Sequence, residues 1–403
     1  MRLASLKLPV IALLAAAVLA GCQTSAPPKS PGSAVPSEPS GNAEAGFSQA
    51  SFSGLPPSAA ADWENARTAF RRSCSSKSFA SAPLWKNACI NATASGPATS
   101  FFVQNFDLWS VSERPAAGSG DFQPKTSGLM TGYYEPILEA ASARDSSHAW
   151  PVLGTPPDLI DVELSSLYPA LKGKRVRGKL SGRKLVPYDS REAIDKRSDL
   201  YPYAIAWLSD PIDQLFLQIQ GSGQLLVKGK GLVRVFYANQ NGHPYRAVAK
   251  WLIDRGEMTR SEASMQSIRS WARAHPSEVP SLLAYNPSYV FFRVSPVTDL
   301  SAGPQGAQGV PLTPGASVAV DRNRWKLGVP FFVSVSQQSP QLAFNRPVIA
   351  QDTGGAIRGL IRFDYFWGSG AGAGESAGRQ KSAASAWVMV PKGHSPYELL
   401  KNR

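Results

Sequence analysis

Residues 351–370 read Gln-Asp-Thr-Gly-Gly-Ala-Ile-Arg-Gly-Leu-Ile-Arg-Phe-Asp-Tyr-Phe-Trp-Gly-Ser-Gly, and the composition of this stretch is typical of a functional site. Two carboxylates, Asp352 and Asp364, lie on either side of a glycine-rich segment that includes Gly354 and Gly355. The alternation after residue 359 predicts a β-strand. One face of that strand carries Ile361, Phe363, Tyr365 and Trp367, and the other carries Arg362, Asp364 and Phe366. We therefore expect Asp364 to point away from the more apolar face, toward solvent or a groove.

The N-terminus has the features of a secretory signal. Arg2 and Lys7 precede an apolar run of about a dozen residues, which is too short to span a bilayer as a mature helix. The Leu-Ala-Gly-Cys sequence that ends at Cys22 resembles the bacterial lipoprotein cleavage box, which implies a signal peptide over residues 1–21 and a lipid on Cys22. Gln23, rather than an aspartate, follows and indicates the outer membrane. A plain signal peptide is the alternative.

The next segment and the overall charge indicate how the mature chain is used. Residues 22–47 are rich in Ser, Pro, Ala and Gly, so we predict a flexible tether. The formal net charge of +13 suits contact with an anionic cell-envelope surface or polymer. Nucleic acid is the other usual partner of a basic chain, but an exported lipoprotein does not meet it.

The cysteines and histidines do not have the spacing of a metal site. Cys74 and Cys89 remain after removal of the signal, and an oxidising periplasm permits a disulfide between them, while two buried thiols are the alternative. The four histidines are far apart in the sequence, and Cys-x-x-Cys does not occur. We predict no metal and no cofactor.

Two further stretches have unusual compositions. In residues 127–136, the adjacent Tyr133 and Tyr134 could offer a stacking surface to a sugar ring, or one tyrosine could be buried at a strand end. Residues 214–221 are predicted to form a strand with Gln218 and Gln220 on one face. Two amides on one face could line a groove and bind a polyhydroxyl ligand, or the face could simply be solvated.

The remaining patterns predict helices in the middle of the chain and strands after residue 293. Thr259 and Glu262 have the spacing of a capping box before a helix with Met265 and Ile268 inward. No alternation of parallel strands and helices occurs, which favours a β-barrel over a doubly wound sheet. Besides the strand that carries Asp364, strands are predicted at residues 317–321, 331–336, 348–351 and 386–390.

The residues allow several chemistries. Asp352, Thr353 and Gly354 form the triplet of aspartic proteases, but those sites need two triplets and only one occurs. A glycosidase ordinarily uses two carboxylates, and Asp352 with Asp364 could be that pair. If a substrate hydroxyl attacks the anomeric carbon, one carboxyl can donate a proton and then accept one, which requires a raised pKa. A structural role in a turn or barrel is the alternative for either aspartate.

Five motifs stand out between about Ser127 and Pro391. They are Thr-Gly-Tyr-Tyr-Glu-Pro at 131–136, Gln-Ile-Gln-Gly-Ser-Gly at 218–223, Ser-Met-Gln at 264–266, Asn-Pro-Ser-Tyr-Val-Phe-Phe at 286–292 and Gln-Asp-Thr-Gly-Gly-Ala-Ile-Arg-Gly at 351–359. Together, and in this order, they resemble the motifs of the membrane-bound lytic murein transglycosylase A family.

The resemblance implies a fold that is mainly β with some α. It implies a double-psi β-barrel with three aspartates, which correspond to Asp321, Asp352 and Asp364. We expect the barrel and a helical N-terminal part in residues 48–136 and 294–403. A second β domain in residues 137–293 is inserted, with a groove between the two.

The resemblance also implies a reaction. Family members cleave the β-1,4 bond between N-acetylmuramic acid and N-acetylglucosamine without water and leave a 1,6-anhydro ring. The single acid/base corresponds to Asp364, with Asp352 and Asp321 in support. Other residues expected to bind substrate or support the site are Thr131, Tyr133, Tyr134, Gln218, Gln220, Gly221, Ser222, Gly354 and Gly355.

The sequence thus predicts a peptidoglycan lytic transglycosylase at the periplasmic face of the outer membrane, anchored through Cys22. Its expected partners are peptidoglycan glycan strands and other cell-wall enzymes, with no nucleic acid. One alternative is a non-catalytic peptidoglycan-binding lipoprotein. Another is a murein hydrolase that uses Asp352 and Asp364 together.

Overall fold

A computed structural model of the chain describes residues 44–114, 123–171, 174, 176–260, 262–295 and 302–401. The predicted signal peptide and Cys22, the predicted site of lipidation, lie outside the described residues. Across these ranges, no helix is both long enough and apolar enough to cross a membrane.

The strands include every strand predicted after residue 293. The strands at Leu342–Asp352 and Lys381–Pro391 are longer than predicted, because each pairs with the strand at Pro330–Gln337 along more than half of its length. The strands are β1 (Glu44–Ala50), β2 (Phe106–Arg114), β3 (Gly128–Glu135), β4 (Ile137–Ala140), β5 (Trp150–Leu153), β6 (Ile160–Val162), β7 (Val176–Ser181), β8 (Lys184–Pro187), β9 (Ala204–Leu208), β10 (Ser222–Val227), β11 (Gly231–Gln240), β12 (Val290–Ser295), β13 (Ser317–Val320), β14 (Pro330–Gln337), β15 (Leu342–Asp352), β16 (Arg362–Ser369) and β17 (Lys381–Pro391).

The helices lie mainly in the N-terminal part and in the middle of the chain. They are α1 (Ala60–Cys74), α2 (Lys77–Ser81), α3 (Pro83–Asn91), α4 (Ala98–Asn105), α5 (Arg191–Ile194), α6 (Pro211–Gln220), α7 (Val248–Asp254), α8 (Met265–Ala274), α9 (Val279–Tyr285) and α10 (Ala371–Arg379).

Six strands form a closed ring in the order β17, β14, β15, β13, β16 and β3, because β3 also pairs with β17. Strands β2 and β1 extend the sheet outside this ring. Fully buried side chains such as Val318, Phe331 and Phe363 fill the core. The predicted fold class, mainly β with a barrel, is confirmed.

The chain leaves the ring after β3 and forms a second sheet of β4, β10, β11 and β12. Two smaller sheets, β5–β9 and β6–β7–β8, and helices α5–α9 complete this region. A buried ion pair joins it to the ring, since Arg234 Nε on β11 lies 2.7 Å from Glu135 Oε1 at the end of β3. Gln224 on β10 and Ser369 on β16 each donate a hydrogen bond of 2.7 Å to Glu135 Oε2.

The predicted strand at residues 214–221 is wrong, because this segment is helix α6. Asp210 caps the helix by accepting a hydrogen bond of 2.7 Å from Ile212 N, and Pro211 occupies the first turn. Gly221 ends the helix in the left-handed conformation, with φ of +77°. The alternation of leucines suggested a strand, but Ile219 is exposed in the helix.

The start of α8 also differs from the prediction. Ser264, rather than Thr259, caps the helix, and its hydroxyl accepts a hydrogen bond of 3.1 Å from Ser267 N. Thr259 and Glu262 do bond to each other, with 2.8 Å between Thr259 N and Glu262 Oε2, but they form a separate turn before the helix.

The N-terminal part packs against the ring. Trp63 on α1 stacks on Phe332 of β14 with 5.7 Å between ring centroids. A disulfide joins Cys74 and Cys89, with their Cα atoms 5.5 Å apart. Residues 44–47, which the sequence analysis placed in the flexible tether, are instead the first residues of β1. Phe47 packs edge-on against Tyr397, with 5.0 Å between ring centroids, and this contact holds the start of β1 against the C-terminal part of the chain.

Candidate active site

The strand register places the main candidate residues in one row across four strands. Ala319 of β13 pairs with Asp352 on one side and with Asp364 on the other, and Asp364 pairs with Thr131 of β3. Because neighbouring strands lie about 4.8 Å apart, the Cα atoms of the two aspartates are roughly 10 Å apart. The fold therefore brings together carboxylates that are separated by a long loop.

Asp364 is part-buried and has one free oxygen. Its Oδ1 accepts a hydrogen bond of 2.6 Å from the Thr131 hydroxyl. No donor among the described residues bonds to Oδ2, and this oxygen is not completely buried. Burial raises the pKa of Asp364 to about 6, although the charge of Arg362 and the Thr131 hydrogen bond lower it. A carboxyl of this kind can both give and take a proton near neutral pH.

Asp352 has a different environment, because both of its oxygens already accept hydrogen bonds. Ala307 N and Thr353 N each donate to Oδ1 at 2.9 Å, and the Tyr133 hydroxyl donates to Oδ2 at 3.0 Å. Burial raises the pKa of Asp352, and these three donors oppose that rise. The three donors occupy both oxygens of Asp352 and fix the orientation of its side chain.

Tyr133 and Tyr134 point to different surroundings. Burial, together with the charges of Asp352 and Asp364, raises the pKa of Tyr133 well above its ordinary value, so its hydroxyl keeps its proton. Its ring also packs on Phe366, with 5.2 Å between centroids. Tyr134 is buried, and its ring leaves no room for a side chain at Gly374, where a Cβ would lie 2.7 Å away. Of the two tyrosines, Tyr134 thus fits the alternative of a buried strand end.

Asp321 ties down the loop between the other two aspartates. It is buried, and its Oδ2 accepts a hydrogen bond of 2.9 Å from Gly359 N. Its Oδ1 accepts from Asn323 N at 3.0 Å and lies 3.6 Å from Arg358 Nη1. Gly359 has φ of +119°, which favours glycine, so the backbone needs this residue at the point that Asp321 holds. Asp321 is therefore placed to shape the loop.

The structure separates the two glutamines that the sequence placed on one face. Gln218 is buried and accepts a hydrogen bond from Arg191, whose guanidinium also donates to the backbone oxygens of Asn286 and Ser288. Gln220 instead accepts a hydrogen bond of 3.2 Å from Tyr134 N. Gln218 is thus part of the interior, contrary to the predicted groove-lining role. In a helix, successive side chains are rotated by about 100°, so Gln218 and Gln220 point in directions about 200° apart.

A cleft of about 170 Å³ lies between the ring and the inserted region. Gly132 of β3 and Gly378 of α10 line one side, and Gln220, Tyr245 and Met265 of the inserted region line the other. Asp352 and Asp364 are not among the residues that line it.

The predicted site residues Gly354, Gly355, Gly221 and Ser222 are not among the residues that line this cleft. A Cβ on Gly354 would lie 3.0 Å from Ile357, whereas one on Gly355 would meet nothing within 4 Å. Gly221 ends α6, and Ser222 begins β10 opposite Phe236.

Arg362 is the site residue that the sequence analysis left without a role. Its Nη2 donates a hydrogen bond of 3.0 Å to the Thr131 hydroxyl. Burial lowers the pKa of Arg362, and the charge of Asp364 raises it. The alternation that placed Arg362 on the same strand face as Asp364 was the signal that could have identified it.

Comparison with known proteins agrees with this arrangement. The model of the MltA specific insert domain matches residues 129–293, and the model of the 3D domain matches residues 316–390, which include all three aspartates. The crystal structure of MltA from Neisseria gonorrhoeae is 31% identical, has a TM-score of 0.74, and covers 92% of this chain and 98% of that chain. This chain belongs to the membrane-bound lytic murein transglycosylase A family. The resemblance of the sequence motifs is thereby confirmed.

Other members of the transglycosylase A family show the extent of the match. The membrane-bound lytic murein transglycosylase A of Escherichia coli (strain K12) is 33% identical over 267 residues, which cover 64% of this chain and 65% of the relative. The protein of the same name from Vibrio cholerae is 30% identical over 279 residues, or 68% and 67%. A crystal structure of E. coli MltA with bound chitohexaose is 28% identical, with a TM-score of 0.62 and coverage of 86% and 94%.

Proposed function

We propose that the chain is a lytic transglycosylase that cleaves the β-1,4 bond between N-acetylmuramic acid and N-acetylglucosamine in peptidoglycan, with Asp364 as the single acid/base. The observation that carries this proposal is the contrast between the two carboxylates. Asp364 has a free oxygen and a pKa near 6, whereas both oxygens of Asp352 are occupied by donors.

The reaction follows from these environments in two steps. Protonated Asp364 donates its proton to the glycosidic oxygen as the bond from that oxygen to C1 of the muramyl residue breaks. The Asp364 carboxylate then takes the proton from the C6 hydroxyl of the same sugar as O6 bonds to C1. The proton is returned, water is not consumed, and a 1,6-anhydro ring is formed. The Asp352 carboxylate, held by Tyr133, stabilises the positive charge that develops near C1.

The proposed substrate and location rest on the family to which the chain belongs. The relatives are named as murein transglycosylases, and E. coli MltA binds chitohexaose, a linear amino-sugar chain. Thr131 and Tyr133 support the two carboxylates, since each donates a hydrogen bond to one of them. We also propose a lipid on Cys22, which would hold the domain at the periplasmic face of the outer membrane, and contact with other cell-wall enzymes.

The two-carboxylate hydrolase has less support. A base that activates water needs a free carboxylate oxygen near that water. Asp352 accepts three hydrogen bonds from its own chain, which leaves it suited to electrostatic support.

The products of purified peptidoglycan test the proposal. Mass spectrometry should find anhydro-muropeptides with the wild type and none with Asp364→Asn, which should still bind glycan. Asp254→Asn is the matched control, since it removes an exposed carboxylate on α7 that pairs with Lys250, and it should retain full activity. Reducing ends would support the hydrolase, no product from the wild type would support a binding protein, and turnover by Asp364→Asn would remove Asp364 from its role.

A further inference from the structure

Arg362, Thr131 and Asp364 form a chain of two hydrogen bonds. Arg362 precedes Asp364 by two residues on β16, so both side chains lie on the same face of the sheet. Arg362 Nη2 donates to Thr131 Oγ1 at 3.0 Å, and Thr131 Oγ1 donates to Asp364 Oδ1 at 2.6 Å. The guanidinium thus acts on the carboxyl through the hydroxyl between them.

The donor and acceptor capacities of these groups fix the direction of both bonds. A guanidinium can only donate, and a threonine hydroxyl has one proton to give. Arg362 therefore occupies a lone pair of the Thr131 oxygen. In the part of the chain that the structure describes, Asp364 Oδ1 is the one acceptor for the Thr131 proton. A proton on Oδ1 that pointed at Thr131 would displace the Thr131 proton from this bond and leave it without an acceptor among the described residues, so protonation of Oδ1 is disfavoured.

We infer that Arg362 is a positioning residue that, through the Thr131 hydroxyl, confines the transferable proton of Asp364 to Oδ2. This oxygen has no donor among the described residues and is not completely buried. The inference rests on the proposed function of Asp364. Oδ2 then gives the proton to the glycosidic oxygen and takes the proton from O6, while Oδ1 accepts from Thr131 in both steps. The carboxyl can therefore serve twice without rotating.

The charged and titratable groups around Asp364 predict a pH effect with a definite sign. They are Arg362 on the same strand, Asp352 on β15 and Tyr133 on β3. The positive charge of Arg362 lowers the pKa of Asp364. Removal of that charge should raise this pKa, so the protonated acid should persist to higher pH and the alkaline limb of activity should move upward.

A double-mutant cycle with Thr131→Val and Arg362→Met tests the inference. We expect each single variant to lose roughly tenfold or more in kcat, and the double variant to lose no more than the worse single variant, because both changes break the same chain. The conservative variants Thr131→Ser and Arg362→Lys should recover most of the loss. Arg362→Met should also show the shifted alkaline limb, whereas a general loss of folded protein would lower activity equally at every pH.

Several results would overturn the inference. One is a double variant whose loss equals the product of the single losses, and another is an unchanged kcat and pH profile in Arg362→Met. If Arg362→Met fails to fold, Thr131→Val and Thr131→Ser decide, since equal activity in these two would refute a role for the hydroxyl. Failure of the proposed function is a separate result, because it would appear as wild-type turnover in Asp364→Asn.

Discussion

Asp364→Asn should stabilise the protein at alkaline pH, although it removes the proposed acid/base. The carboxyl has a pKa of about 6 in the folded chain against an ordinary value of 3.8. Since the folded state holds the proton more tightly, folding stability falls as the pH rises from about 4 to about 6. The full difference corresponds to about 3 kcal/mol, and for a part-buried side chain we expect 1–3 kcal/mol.

Urea denaturation at pH 4 and at pH 8 measures this effect. At pH 4 the wild-type side chain is protonated and resembles Asn, so the two proteins should be about equally stable. At pH 8 the variant should be more stable. Asp254→Asn controls for the loss of one negative charge and should change stability by no more than about 0.5 kcal/mol at pH 8. A variant that is less stable than the wild type at pH 8, or a difference that is the same at both pH values, would refute the reasoning.

Two further predictions concern the fold that holds the site. Glu135→Gln should lower the free energy of unfolding by about 3–5 kcal/mol, because it leaves the buried charge of Arg234 unpaired; a loss below about 1 kcal/mol in urea denaturation would contradict this. Gly128→Ala should strongly lower the melting temperature, because its Cβ would lie 1.8 Å from the backbone oxygen of Ile361, whereas Gly355→Ala, with nothing within 4 Å, should melt like the wild type. Equal melting temperatures for the two variants would disprove the close approach of β3 and β16.

Local patterns predicted the part of the site that lies on one strand. Alternation along β16 placed Asp364 away from the more apolar face, and in the structure its Oδ2 has no donor among the described residues and is not completely buried. A carboxyl that both donates and accepts a proton needs a raised pKa, and burial raises the pKa of Asp364. The same alternation contained Arg362, but its role was missed. Its hydrogen-bond partner Thr131 lies 231 positions earlier in the sequence, on strand β3, so no local pattern links the two residues.

The difference between the two carboxylates could not be predicted from local sequence. Ala307 N and Tyr133 reach Asp352 from distant segments, and only the closed ring brings them together. The same holds for Glu135, whose partners come from β10, β11 and β16. The error at Gln218 has another cause. Alternating leucines fit a strand, but the Asp-Pro start and the glycine end specify a helix of the same length.

The central claim is that no water molecule takes part in bond cleavage. Digestion of purified peptidoglycan in water enriched in oxygen-18, followed by mass spectrometry, tests it directly. We predict terminal muramyl residues in the anhydro form that contain no oxygen-18, since O6 of the sugar supplies the new bond to C1. Newly formed reducing ends that carry oxygen-18 would contradict the account.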